Sequence, residues 1–480
     1  METPRSSSTL SLLVLSCFLS CLVFPSLALS NFSPVDNYLI NCGSAVDSAS
    51  FNRRFVSDGH SFNPSSPRLS SARTIPLADQ NPSPNSPQIY HTARVFEKPS
   101  KYTFQIKDRG THMVRLYFHP FVSSDFDLNY ARFHVLVNGF VVLSNFSSES
   151  AAKTPLIKEY LIWVDSDELV ITFVPFKRGN FCFVNAIEVI SAPKDLIADM
   201  GQLVNGDKVE KFDGSTKQAL ETVYRINVGG PKVTPFNDTV WRTWFPDDEF
   251  FKSSEFSNKV YFSGWIKYQR GGASREVGPD FVYGTARVIT STNSSVPRVN
   301  MTWEFPVVGG FKYLVRLHFC DIASIALGLL YFNVHVDGHL AYENLDLSSI
   351  TYMLSSPFYA DFVVDGDSSG VLSISVGPSN MSMAHAVDGI LNGVEIMKMN
   401  NSMGSLDGKI SAGVVLRTWP RRNIGVLVPL LAVVCLLVIL SMVMHRRIFG
   451  NGDSIGWSKL STDTSEANLN HDSQHLPHKA

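Results

Sequence analysis

Two patterns of apolar and polar residues alternate along this 480-residue chain. The first has a period of two. In MVRLYF (113–118) Val114, Leu116 and Phe118 alternate with Met113, Arg115 and Tyr117, and in LVRLHF (314–319) Val315, Leu317 and Phe319 alternate with Leu314, Arg316 and His318. Successive side chains of a strand point to opposite faces, so this spacing predicts half-buried strands. ELVITFV (168–174) and VLSISV (371–376) predict two more. Asn138-Gly139 and Asp337-Gly338 end FHVLVNG and FNVHVDG with dipeptides that tolerate positive φ, a strong hairpin signal. The second pattern is unbroken: IGVLVPLLAVVCLLVILSMVM (424–444) carries no charge. As a helix rising about 1.5 Å per residue it matches a bilayer core of roughly 30 Å.

The strand landmarks occur twice in the same order. YLINCG (38–43) matches YRINVG (224–229), YHTARV (90–95) matches YGTARV (283–288), and VNAIEVI (184–190) matches LNGVEIM (391–397). Two copies of one domain are predicted, with insertions between landmarks. No long helical period interrupts the strands, so the fold class is all-β: two tandem β-sandwich domains, then a single transmembrane helix and a disordered tail.

The ends set the expected topology. Residues 1–30 carry Arg5, the apolar SLLVLSCFLSCLVF and small residues at Ser26, Ala28 and Ser30, the form of a signal peptide. Translocation begun there and stopped at 424–444 gives a single-pass type I protein of the plasma membrane, N-terminus extracellular. The sequons at Asn31, Asn145, Asn237, Asn293, Asn300, Asn380 and Asn400 all precede the span and predict an external, glycosylated surface. Of six cysteines, Cys42, Cys182 and Cys320 lie outside both apolar segments. At most one disulfide can form among three, so the fold must rest on its core. The net charge of −2 gives no global field for nucleic acid.

Domain 1 is expected at 31–192, a linker at 193–222 with a short helix over 216–222, domain 2 at 223–398, a stalk at 399–423 and a cytoplasmic tail at 445–480. The proline- and serine-rich 60–86 is expected as a surface loop, since proline cannot pair in a central strand.

NYLINCGS, TARVF, VRLYFHPF and FVNAIEVI, followed by VRLHFCDI and LNGVEIMK, resemble the tandem malectin-like ectodomain of plant receptor-like kinases, the FERONIA/THESEUS group. The resemblance runs from about Asn31 to Met399, through the span, to the juxtamembrane GWSKLSTDTSE (456–466). It implies two malectin-like domains. It also implies partners: cell-wall polysaccharide such as pectin, or a secreted alkalinisation-factor peptide with a membrane-anchored co-receptor, often across the cleft between domains. The group's kinase is missing, with no H-R-D, D-F-G or V-A-I-K pattern in the sequence.

Candidate chemistry is sparse. No H-E-x-x-H or G-x-S-x-G occurs, and neither a metal site nor a cofactor is expected. Aromatic rings stack on sugar faces, which singles out the matched Tyr90 and Tyr283 together with Trp241 and Trp244 of VWRTWFPDD, although core or inter-domain packing is the favoured reading of such rings. The matched Arg94 and Arg287 could pair with a uronic acid, but neutralising a partly buried carboxylate is the favoured reading. Asp247-Asp248 is expected as a solvated edge and not as a glycosidase pair. The function expected is a kinase-less receptor-like protein, not an enzyme, binding carbohydrate or peptide and signalling through partners, with the full-length receptor kinase among them. The alternatives are a truncated receptor-kinase product acting as a ligand decoy, and, far behind, a glycan-processing enzyme.

Overall fold

A computed structural model describes residues 32–59, 67–71, 73–151, 154–206, 208–252, 257–290, 299–383, 386–417 and 424–449. The chain divides into two units, Met1–Trp419 and Pro420–Ala480. The predicted signal peptide, Asn31, Asn293 and the tail beyond Phe449 lie outside the described residues.

In the first unit the period-two stretches become central strands, Gly110–Phe118 and Lys312–Cys320. Both are buried on both faces, not half-buried, because each sheet face is covered: one by the copy's own sandwich core, the other by the layer between the copies. In the first copy Val114, Leu116 and Phe118 meet Phe133, Val135 and Ile171 of the facing five-stranded sheet. In the second, Val315, Leu317 and Phe319 meet Phe332, Val334 and Ile374 of a four-stranded sheet. Each copy is thus a β-sandwich, as the repeat predicts. Asn138-Gly139 and Asp337-Gly338 form the expected tight turns, with φ of 46° and 87° in the first and 54° and 78° in the second. Arg68–Ser70 and Thr74–Ala78, from the proline-rich region, pair as edge strands, where Pro76 has no interior ladder to break.

The inner sheets of the two copies are one sheet of thirteen strands. The join is the pairing of Leu156–Val164 with Leu220–Asn227, through Tyr160 with Glu221 and Leu161 with Leu220. Residues expected as a helix over 216–222 therefore form a 3₁₀ turn, Ser215–Lys217, and then the joining strand. Local helix preference loses to burial: Leu220 is enclosed with Leu161, Met113, Met397 and Met399. The rest of the expected linker holds a hairpin, Met200–Asn205 with Lys208–Asp213, added to the edge of the second copy's inner sheet.

The expected stalk is a strap up to Arg417. Val141 N–H donates to the Gly404 carbonyl (2.9 Å), Leu406 N–H donates back to the Val141 carbonyl (2.8 Å), and Asp407 accepts from Ser144 N–H (2.7 Å). A short helix, Ala412–Arg417, then buries Val415 against Leu136, Val141 and Val174 of the first copy. The second unit contributes one helix, Ile424–Phe449, whose stretch Pro429–Ile448 is long and apolar enough to cross a membrane.

Candidate functional site: a cleft between the two copies

Past the Tyr160–Glu221 pair the two joining strands part, and a cleft of about 1090 Å³ opens between the copies. The first copy lines it with Phe51, Pro87, Pro155 and Ile157, the second with Lys232, Phe236, Trp241 and Phe245. Its volume lies just above the roughly 300–1,000 Å³ typical of small-molecule pockets.

The floor is a row of charges drawn from both copies. Glu188 accepts both Arg53 Nη atoms (2.8 and 2.6 Å), Arg115 Nη1 (2.9 Å) and the Tyr117 hydroxyl. Arg115 Nε donates to Glu159 (2.6 Å), which also accepts from Arg225 Nη2 (2.6 Å) and Thr222 Oγ1 (2.9 Å). Arg225 Nε donates to Glu395 (2.7 Å), and His318 Nε2 lies 3.2 Å from the same carboxylate. Three arginines and three glutamates alternate, so the row carries no net charge. Burial opposes ionisation of Glu159, but Arg225 and Arg115 outweigh it and hold the carboxyl well below its usual range. Glu188 and Glu395 are lowered in the same way, against burial, by Arg115 with Arg53 and by Arg225 with His318 respectively. Burial pushes His318 down.

The six residues singled out in the sequence do not gather in one place. Trp241 lines the cleft, with φ of 59° and the Arg53 guanidinium carbon 4.9 Å from its ring centre. Tyr90 reaches the cleft wall but is packed against Tyr117 and His119. Trp244 is fully enclosed, its indole N–H on Asp238 (2.9 Å). Tyr283 is buried with its hydroxyl 3.0 Å from His318 Nδ1. Arg94 pairs with Asp58, Nε to Oδ2 at 3.0 Å. Its repeat mate Arg287 pairs with Asp247, Nε to Oδ2 at 2.5 Å. Asp247 is fully buried and also takes the Trp303 indole N–H (2.8 Å), whereas exposed Asp248 pairs with Lys259 and Arg287. The pair is a structural brace, not a free edge. Among the sequons, Asn237 and Asn380 are exposed, Asn145 and Asn300 are half-buried, and half-buried Asn400 accepts from Ala219 N–H (2.8 Å). Cys42, Cys182 and Cys320 are free and buried. Among the described residues no His, Cys, Asp or Glu cluster could hold a metal ion.

Sequence reasoning missed Arg53, Glu159, Arg225 and the glutamates of VNAIEVI and LNGVEIM. A charged residue inside an apolar run in both copies was the available signal, because a buried glutamate requires a cationic partner.

The paired sandwiches, their continuous sheet and a cleft between them define a tandem malectin-like ectodomain. Residues 40–399 match the malectin-like domain family, and the chain belongs to that family. It is 40% identical to the receptor-like protein kinase THESEUS 1 of Arabidopsis thaliana, over 85% of this chain and 47% of that protein. It is 38% identical to the receptor-like protein kinase HERK 1 of the same plant, over 96% of this chain and 53% of that one. The chain spans about half the length of these relatives. Among solved structures it resembles the Arabidopsis thaliana ANX1 ectodomain (TM-score 0.69, 27% identity, 78% of this chain and 98% of that one). It also resembles a chain of the complex of plant peptide RALF23 with FER and LLG2 (TM-score 0.67, 31% identity, 79% and 99%).

Proposed function

We propose that this chain is a cell-surface receptor-like protein, single-pass in the plasma membrane with its N-terminal side outside, whose paired domains hold a secreted peptide in the cleft between them. The observation that carries this reading is the cleft itself, built from both copies over a floor whose charges are already satisfied. The relative solved as a complex of RALF23, FER and LLG2 supports a peptide ligand and a second, co-receptor protein. Cell-wall carbohydrate is the second reading, supported by the exposed rings of Phe236 and Phe245 at the rim. Of the sequons, exposed Asn237 and Asn380 are the ones proposed to carry glycans. Signalling passes to partners, a full-length receptor kinase among them.

The test is binding of RALF23 and of oligogalacturonides to the glycosylated ectodomain, with and without LLG2, across a salt series. Saturable peptide binding that persists in salt supports the first reading. Oligogalacturonide binding that fades steeply with salt supports the second, and absence of both overturns these two readings.

A further inference from the structure

The cleft exposes the edge of a strand. Leu220–Asn227 pairs along its length with Gly393–Met399 on one side, through seven residue pairs. On the other side it meets Leu156–Val164 only at Glu221 and Leu220, and Phe245–Pro246 only at Ile226 and Asn227. Between these, Thr222, Val223, Tyr224 and Arg225 all line the cleft. Arg225 joins the charged floor, whereas Tyr224 packs on the opposite side against Phe250 and Phe305 of the second copy's core. A cavity touches both faces of a strand where that strand shows its edge. A β-bulge at Val223 turns this residue outward, 38% exposed, and Ile157 across the gap is 45% exposed.

A strand directs its peptide groups alternately to either side, so an edge offers N–H donors and C=O acceptors to an added chain. We infer that the cleft takes an extended peptide segment that adds as a short strand along Thr222–Arg225, with apolar side chains at alternate positions on Ile157, Val223, Phe236 and Phe245. This rests on the receptor reading above and deepens it. The chemistry of the walls selects the occupant. The floor arginines are each matched by a glutamate, and the rim sets Lys232 among apolar and aromatic residues together with Asp248 and Glu249, so the lining has no excess of positive charge to hold a polyanion. Backbone pairing supplies affinity in this mode, and the pockets beside it read alternate side chains.

The test pans a phage library of random linear ten-residue peptides on the wild-type ectodomain, counter-selecting on Val223→Lys and on Ile157→Lys. Both positions are exposed enough for the variants to fold, which their thermal transitions check. The expected result is enrichment of peptides with alternating apolar residues that bind wild type at least tenfold more tightly than either variant. Methylating the backbone nitrogens of one alternate set in such a peptide abolishes binding, whereas methylating the other set does not. Bound peptide also slows amide exchange within 222–225. The proposal is overturned if no enriched peptide distinguishes wild type from the variants, or if binding is insensitive to the register of methylation. Either failure leaves the RALF23 titration untouched, so the receptor reading stands or falls on its own assay.

Discussion

Gly43 and Gly229 occupy matched positions in the two copies and show how closely the repeat is kept. Both have positive φ (76° and 71°), and a Cβ on either would sit 2.0 Å from the Ala93 carbonyl oxygen or 2.3 Å from that of Ala286. Each N–H is held by the carboxylate that braces the neighbouring arginine, Asp58 at 2.9 Å and Asp247 at 3.1 Å. Gly43→Ala or Gly229→Ala is expected to fold poorly, read as loss of secreted protein, because neither backbone strain nor collision with a fixed carbonyl can relax. In the charged row, Glu159→Gln leaves three buried arginines facing two glutamates. Breaking a buried pair in this way costs about 3–5 kcal/mol, whereas a Glu159→Met, Arg225→Met double substitution costs less than the single one. Chemical denaturation of the wild type and the two variants checks the order.

The same residues fix the sign of the pH dependence. Folded His318 is lowered by burial, as are His119, His134 and His335, so the unfolded chain binds more protons as pH falls. Their contribution is complete above the unfolded histidine value of about 6.5 and is lost below it. Glu159, Glu188 and Glu395 are also lowered in the folded state, and their contribution is lost below the unfolded carboxyl value of about 4.3. Stability should be level just above pH 7, decline from about 6.5, and fall faster below about 4.3. Thermal denaturation that improved between pH 7 and 5 would contradict this.

Among the elements, the strands with a period of two or an Asn-Gly or Asp-Gly turn were legible in the sequence, since both signals are local. The joining strand was not. TKQALET favours a helix by composition, and only the distant Leu161, Met397 and Met399 make it a strand. The strap was hidden for a similar reason: its glycines and serines look like a loose stalk, and Val414-Val415-Leu416 was the one hint of docking. The charged floor was not read from the sequence: its only signal was a glutamate inside an apolar run of each copy, and its members come from strands as far apart in the chain as Arg53 and Glu188. Leu220→Ala should cost about 2–5 kcal/mol, as expected for a fully buried leucine. Val415→Asp places a charge among Leu136, Val141 and Val174 and should free the strap. Limited proteolysis would then cut within 401–417 while the sandwiches stay resistant.

At the scale of the whole molecule, one sheet crosses both copies, a shared apolar layer lies against it, and ion pairs bridge the join. The repeat therefore does not make two independent modules. Calorimetry of the ectodomain should show a single transition, and two well-separated ones would mean that the join is weaker than its burial implies. The cleft exists because the joining strands part just beyond their two paired residues. Its function is tested most directly by titrating RALF23 into wild-type and Val223→Lys ectodomains at two salt concentrations. The account predicts saturable binding to wild type that changes little with salt and weakens at least tenfold in the variant. Equal binding to both proteins would place the peptide elsewhere and contradict the central role of the cleft.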